Sequence, residues 1–403
     1  MKFLISKTVM QKALEAAALI IDKNGYVPAA RYCHMRLSDG RVVFTATNIR
    51  DSIERVAHIA DLGPDVGPTL IDIRRILRLL KALQEQPLTV ISVTQTTILH
   101  SNGKSVFYNH DISNWQESWM YKQDNPIMNR FPEKILTDKT QWGNFLGKGD
   151  LRPALQHLYC SIKDNMLTAV ATNAHLLCGV RHEVDSVPDM EFLISGNNLK
   201  IMKKLFCQAE RKIRFLVSKE YIWMEDGVTS VSFRMNESGP GFPKWRNVIP
   251  REFFHLIMNR KELIEAINTV SVTSNHSTRQ IIFRIIPGYV TVHSDDLDEE
   301  GMSDFTVPAE VHGALIDIGL NYILLLQAMA QFSKEESIRV DYDQANRAVL
   351  LTGVNAGPSS CITLVMPVMI NHGVGTDFIS IKEEYLAAHP IPEDRPDIFE
   401  VWK

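Results

Sequence analysis

Paired cysteines and long apolar runs are both scarce in this chain of 403 residues. Its five cysteines, Cys33, Cys160, Cys178, Cys207 and Cys361, are odd in number, scattered, and show no CxxC spacing. That argues against a disulfide framework or a zinc site, and for reduced, buried thiols in a cytoplasmic protein. No apolar stretch approaches the roughly 18 residues that a membrane-spanning helix requires. The opening Met1-Lys-Phe-Leu-Ile-Ser-Lys7 has no long apolar core ahead of a cleavage site, so no signal peptide is expected. A surplus of positive charge is also missing: 43 Lys and Arg against 47 Asp and Glu leave a net charge of −4. Contact with nucleic acid would therefore have to come from a local patch. No P-loop, GxSxG, HExxH or paired-carboxylate motif occurs, so no catalytic residue, metal ligand or cofactor is expected.

What is present is a pattern written three times. Leu70–Leu83, Phe192–Phe206 and Leu315–Met329 each run from an extended apolar stretch into a helical one, at starts just over a hundred and twenty residues apart. A repeat of that length is a whole domain rather than a solenoid unit. Other segments keep the register. Asp39-Gly40, Asp164-Asn165 and Pro287-Gly288 are turn signals, each followed by a β-branched run that reads as a hairpin. A later hairpin recurs as Thr89–Val93 with Ser105–Tyr108, Lys212–Leu216 with Ser230–Phe233, and Ser337–Val340 with Ala348–Leu351. Each repeat opens with a helical pattern. The second copy is interrupted by Gly143, Gly147 and Gly149 and should be short, since glycine inside a helix costs about 1 kcal/mol relative to alanine. The plan is helix, strands, helix, strands: an α+β fold of three similar domains, 1–125, 126–250 and 251–370, followed by an extension, 371–403. The polar stretch from Asn109 to Asn129, with Trp115 and Trp119, has no copy elsewhere and reads as a long loop or connector.

If two helices from each domain line one concave side, size limits what they enclose. Six helices packed ~8–10 Å apart close a circle of ~17 Å through their axes and leave under ~10 Å clear. Twelve helices, from two chains, leave ~24 Å, and a DNA duplex needs roughly 20 Å. Charge agrees with such a ring. The first repeated helix carries Arg74, Arg75, Arg78 and Lys81, and the second carries Lys200, Lys203 and Lys204. The opening helices add Lys7, Lys12, Lys134, Lys139, Arg260 and Lys261. Basic residues without a base-reading motif suit sequence-independent contact with phosphates.

A set of short motifs then appears in fixed order: Met1-Lys-Phe3, Asp39-Gly40 with Thr45-Ala-Thr-Asn48, Val170-Ala-Thr-Asn-Ala-His175, Gly241-Phe-Pro-Lys-Trp-Arg246 running to Val248-Ile-Pro250, Ser274-Asn275, and Val365-Met-Pro-Val368. In these the chain resembles the bacterial DNA polymerase III beta subunit, the sliding clamp, over residues 1 to about 370. The resemblance implies a non-catalytic, cytoplasmic processivity factor. Its helices would line a ring interior with antiparallel sheets outside, built as a head-to-tail homodimer around duplex DNA. It also implies a pocket between the second and third domains that captures short peptides of the replicative polymerase and the clamp loader. Carried over by motif, that pocket uses Leu155, Thr172, His175, Leu176, Leu177, Pro243, Val248, Met366 and Pro367. The DNA-facing residues are Arg74, Arg75, Arg78, Arg152, Lys200, Lys203 and Lys204. The dimer contact sets Lys104 and Phe107, with Arg75 nearby, against Val272 and the acidic Asp298, Glu299 and Glu300. A clamp-like scaffold that binds proteins without loading on DNA is the alternative.

Several positions depart from the family pattern. Leu176 and the Met366-Pro-Val-Met-Ile370 ending stand where arginines are usual, so the pocket should be more apolar. Asn24, Pro153-Ala154 and Gly196-Asn197 replace the usual DNA-contact types. The helix from Asn321 to Phe332 has no basic residue. Asn371–Lys403 extends beyond the usual end and either packs elsewhere on the surface or covers or borders the pocket.

Overall fold

A computed structural model of the chain describes residues 1–21, 27–60, 63, 67–93, 95–100, 103–116, 129–137, 139–149, 152–184, 187–207, 212–235, 241–249, 254–296, 301–354 and 361–370. Asn24, Trp119, Asp298, Glu299, Glu300 and the extension from Asn371 lie outside the described residues.

The same order of elements is run through three times. The first repeat has β1 (Lys2–Ser6), α1 (Lys7–Ala17), β2 (Cys33–Ser38), β3 (Arg41–Thr47), β4 (Ser52–His58), β5 (Thr69–Ile71), α2 (Ile73–Ala82), β6 (Pro87–Val93), β7 (Thr96–His100) and β8 (Lys104–Tyr108). The second has β9 (Asn129–Arg130), α3 (Lys134–Thr137), β10 (His157–Lys163), β11 (Met166–Thr172), β12 (Leu176–Glu183), β13 (Met190–Ser195), α4 (Gly196–Phe206), β14 (Arg214–Val217), β15 (Tyr221–Glu225) and β16 (Thr229–Arg234). The third has β17 (Phe254–Asn259), α5 (Arg260–Val270), β18 (Gln280–Ile286), β19 (Tyr289–Asp296), β20 (Gly301–His312), β21 (Asp317–Asn321), α6 (Tyr322–Met329), β22 (Ser337–Tyr342), β23 (Val349–Gly353) and β24 (Cys361–Val365). Among the described residues no helix is long and apolar enough to cross a membrane.

Local chemistry accounts for the elements. Asp39-Gly40 and Asp164-Asn165 both hold positive φ, the geometry that matches strand twist in tight hairpins, and they join β2 to β3 and β10 to β11. Helices α1, α2, α5 and α6 are N-capped by Ser6, Asp72, Asn259 and Asn321, whose side chains accept from backbone N–H groups of the first turn. The glycines of the second repeat leave α3 a single turn, as their spacing predicts. Two features differ from the sequence reading. A strand precedes each opening helix, and in the first two repeats a further strand, β7 or β15, runs between the two strands read from sequence, whereas β22 and β23 of the third pair directly. Of the Asn109–Asn129 stretch, the described part packs back on the first repeat: His110 stacks on Tyr32 at 3.5 Å and Trp115 on His34 at 5.0 Å.

The chain forms two compact units, Met1–Thr137 with Asn197–Glu237, and Asp138–Gly196 with Ser238–Lys403. The first holds a four-stranded sheet, β1-β6-β7-β8, and an eight-stranded sheet, β5-β2-β3-β4-β16-β15-β14-β9. The second holds a twelve-stranded sheet, β13-β10-β11-β12-β24-β23-β22-β17-β20-β19-β18-β21. Both large sheets cross a repeat boundary by the same rule. β4 of the first repeat pairs with β16 of the second, and β12 of the second pairs with β24 of the third. The equivalent third pairing, β20 with β8, is not made among the described residues. Among the described residues β8 is a sheet edge, and residues 301–308 of β20 pair on one side only, with β19.

Candidate functional site

The seam between β12 and β24 lies wholly inside the second unit. Its register places one row of residues straight across the sheet: Thr172 faces Leu177, Leu177 faces Leu364, Leu364 faces Leu350, Leu350 faces Asp341, and Asp341 faces His255. Directly opposed residues share a face of the sheet, so this row is one continuous surface. Leu177, Leu350 and Leu364 join Val170, Ile362, Ala348, Trp245 and Ile249 in a buried cluster, with Tyr159, Phe242 and Met366 packed against it. Burying each leucine stabilises the fold by about 1.5–3 kcal/mol.

Two short segments rim this floor. The first is the turn from Thr172 to Leu176. Asn173 Oδ1 accepts from the backbone N–H groups of His175 (2.9 Å) and Leu176 (2.7 Å), Thr172 Oγ1 donates to the Leu176 carbonyl (2.7 Å), and Ala174 takes φ +76°. This holds the exposed His175 at the rim. Its carbonyl accepts from the Met366 N–H at 2.9 Å, which fastens the Met366-Pro367 segment beside it. The second segment is the 3-10 turn Trp245–Val248. Trp245 and Ile249 point into the floor, whereas Pro243 and Val248 stay exposed. The Arg246 guanidinium lies 4.4 Å from the Trp245 ring centre, and Phe242 stacks on Tyr159 at 5.1 Å. Burial raises the Tyr159 phenol, with Glu191 adding to the shift. Burial likewise lowers Arg181, which also stands near the charge of Arg246.

Leu155 is buried on the 3-10 turn Pro153–Gln156, and its carbonyl accepts from the Gly147 N–H at 2.7 Å. A Cβ on Gly147 would stand 2.9 Å from the Leu155 Cβ, so Gly147 gives Leu155 its place. Thr172 and Leu177 are buried, and Met366 and Pro367 are half-buried. Leu176 requires correction. Strand alternation turns it away from Leu177, onto the opposite face, where it opposes Val365 and is buried. It therefore does not belong to the floor, and the apolar character comes from the leucines of β23 and β24 instead. Those residues, with Trp245 and Tyr159, were missed by sequence reasoning. Alternation in Cys361–Val365 and the Trp245 within Gly241–Arg246 were the available signals.

The first unit contains the same construction with different chemistry. Thr47, Asn48 and Ile49 (φ +79°) repeat the Thr172–Ala174 turn bond for bond. There the row reads Thr47, Ser52, Ser232, Trp223, Leu216, and the Ser52 and Ser232 hydroxyls bond to each other at 2.6 Å. One seam is closed by a buried polar pair. The other is filled by buried apolar side chains beneath an exposed rim.

The basic residues lie on separate elements. Arg74, Arg75 and Arg78 are exposed on α2, whose Ile73, Ile76 and Leu80 face the core, and Arg75 reaches back to Asp72 at 3.5 Å. On α4, Lys200 and Lys204 are exposed and Lys203 is half-buried. Arg152 is exposed at the start of the Leu155 turn. α6 carries no basic residue. Of the expected dimer contacts, Lys104 is exposed and Phe107 half-buried on β8, while Val272 is 80% exposed.

Residues 246–369 match the family described as DNA polymerase III beta subunit, C-terminal domain. A beta sliding clamp from Chlamydia pneumoniae is 21% identical over 375 residues, which cover 92% of this chain and 100% of that protein. A solved sliding clamp (DNA polymerase III subunit beta) from Pseudomonas aeruginosa, bound to griselimycin, is 16% identical with a TM-score of 0.81, over 92% of this chain and 100% of that one. The DNA polymerase III beta subunit from Thermotoga maritima is also 16% identical, with a TM-score of 0.80 over 92% and 99%.

Proposed function

We propose that the chain is a divergent member of the bacterial DNA polymerase III beta subunit family, the sliding clamps, and a non-catalytic, cytoplasmic processivity factor. It encircles duplex DNA as a head-to-tail homodimer and tethers a replicative polymerase, which turns rebinding into an intramolecular event at high local concentration. The match to beta sliding clamps along 92% of the chain carries this reading. The exposed cations Arg74, Arg75, Arg78, Arg152, Lys200 and Lys204, with the half-buried Lys203, support sequence-independent contact with phosphates. The three 120-residue repeats are taken as three clamp domains.

The β12–β24 floor is the proposed docking site for short peptides of the polymerase and the clamp loader. Buried Leu177, Leu350 and Leu364 supply the base for apolar anchors, and His175, Pro243, Val248, Met366 and Pro367 supply the rim.

The decisive experiment loads the protein onto nicked circular DNA, raises the salt, and then linearises the circle. A topological link survives salt on the circle and is lost on cutting. Loss at the same salt from circle and line would refute encirclement. A scaffold that binds partners without loading on DNA is the second reading, favoured by the absence of any basic residue on α6. It predicts peptide binding with no retention on the circle.

A further inference from the structure

Two thiols occupy the reverse side of the β12–β24 seam. Alternation turns Leu177, Ile362 and Leu364 to one face of these strands and Cys178 and Cys361 to the other. Cys178 opposes Thr363 and Cys361 opposes Val180, so the two cysteines are diagonal neighbours, with their sulfurs 3.7 Å apart. Cys178 is buried and Cys361 is partly exposed, which gives the pair one accessible thiol. The other cysteines differ. Burial pushes the thiols of Cys33 and Cys160 far above the usual range, which keeps them protonated and inert, and Cys207 is exposed just past α4.

We infer that Cys178 and Cys361 form a reversible oxidation site that takes a two-electron oxidant of the peroxide class. The Cys361 sulfur, having lost its proton, attacks one peroxide oxygen. The O–O bond breaks, Cys361 becomes a sulfenic acid, and the second oxygen leaves as water after taking up that proton. The Cys178 sulfur then displaces the sulfenic oxygen, which departs as a second water with the Cys178 proton. In sum, two thiols and one hydrogen peroxide give one disulfide and two waters. The bond cross-links the second repeat to the third at the ladder that joins β12 to β24. Diagonal neighbours stand ~7–8 Å apart at Cα, and a relaxed disulfide prefers ~4.4–6.8 Å. Closing the bond therefore draws β24 along β12, and the resulting cross-link belongs to the readily reduced class. Leu177, Ile362 and Leu364 ride on the same two strands, so the shift reaches the apolar floor. That last consequence rests on the peptide-docking function proposed above; the chemistry at sulfur does not.

The test treats the full chain with stoichiometric hydrogen peroxide, blocks remaining thiols with iodoacetamide, and maps peptides by mass without reductant. The expected product is a Cys178–Cys361 cross-linked peptide, two hydrogens lighter than its parts and restored by dithiothreitol. It should persist in Cys207→Ala and vanish in both Cys361→Ala and Cys178→Ala, with circular dichroism confirming that each variant folds. Full alkylation of Cys361 with no cross-link, or oxidation confined to Cys207, overturns the proposal. Affinity for a leucine- and phenylalanine-containing peptide should then differ several-fold between oxidised and reduced protein. Equal affinities with the cross-link formed overturn the coupling to the floor. A peptide that binds neither form counts against the docking function and leaves the oxidation site standing.

Discussion

Asn173 shows how much one side chain can organise. Its single carbonyl oxygen takes two backbone N–H groups, and the turn it holds carries His175 and the Met366 anchor. Asn173→Ala should cost about 1–2 kcal/mol, read as a lowered urea midpoint, because two N–H groups lose their acceptor. A smaller change would mean that water replaces the amide at no cost. His255 and Asp341, opposed across β17 and β22, make a second case. Burial pushes the Asp341 carboxyl up to about 6, against the pull of Arg339. The folded form therefore holds that proton more tightly than the unfolded chain does, and the stability from this group declines as pH rises from about 4 to 6. Burial first, then the charges of Arg339 and His312, push His255 down to about 4, with Glu310 opposing. The folded form resists that proton, so stability from His255 is present above about 6.5 and is lost as pH falls toward 4. The two slopes oppose each other over one window. His255→Asn leaves the Asp341 slope alone, so the variant should lose stability as pH rises from 4 to 6 while the parent stays flatter. Matching pH profiles for the two proteins would contradict this account.

At the scale of the element, the segment from Met366 to Ile370 is held in place by backbone rather than by side-chain packing alone. The Val368 N–H donates to the Gly319 carbonyl at 2.8 Å, and Gln280 Nε2 donates to the Met369 carbonyl at 2.8 Å. A Cβ on Gly319 would lie 2.4 Å from the Val368 carbonyl oxygen, a backbone atom that cannot swing aside. Gly319→Ala should therefore lift the segment off β21, cost about 1–3 kcal/mol, and speed hydrogen exchange at the Val368 amide. Unchanged exchange there would show that the sheet absorbs the methyl. Elements were unevenly legible in the sequence. The hairpins at Asp39-Gly40 and Asp164-Asn165 could be read because positive φ is a local demand that few residue types meet. The single-turn α3 was legible for the same kind of reason. The face chosen by Leu176 was not, because neighbours in a strand point oppositely and only the register with β24 says which of Leu176 and Leu177 joins the floor.

For the whole molecule, the pairing rule of the sheets leaves one pair of edges over. β4 joins β16 and β12 joins β24, but among the described residues β8 and residues 301–308 of β20 each keep an open edge. Tyr108 on β8 is 76% exposed and Met302 on β20 is 68% exposed. A second copy that supplies the missing partner strand would cover both, in a heterologous contact. Sedimentation at micromolar concentration should find dimers of the 45.7 kDa chain. Met302→Asp should weaken the dimer at least tenfold, about 1.4 kcal/mol, with no loss of monomer fold, because the side chain is exposed. A parent chain that stays monomeric at those concentrations removes the dimer and the ring with it.

The sequence alone determined the threefold repeat, its helices and most of its hairpin turns, and the positions of the basic residues, because all of these are written within short windows of chain. Only the tertiary structure decided which seam is apolar and which is polar. Ser52 meets Ser232 across 180 residues, and the Cys178–Cys361 contact that marks the other seam spans 183. Helix caps and turn residues act over four or five positions and are silent about partners that far away. The shared face of Leu177, Leu350 and Leu364, and the thiol pair behind it, exist only once those distant strands have settled into register.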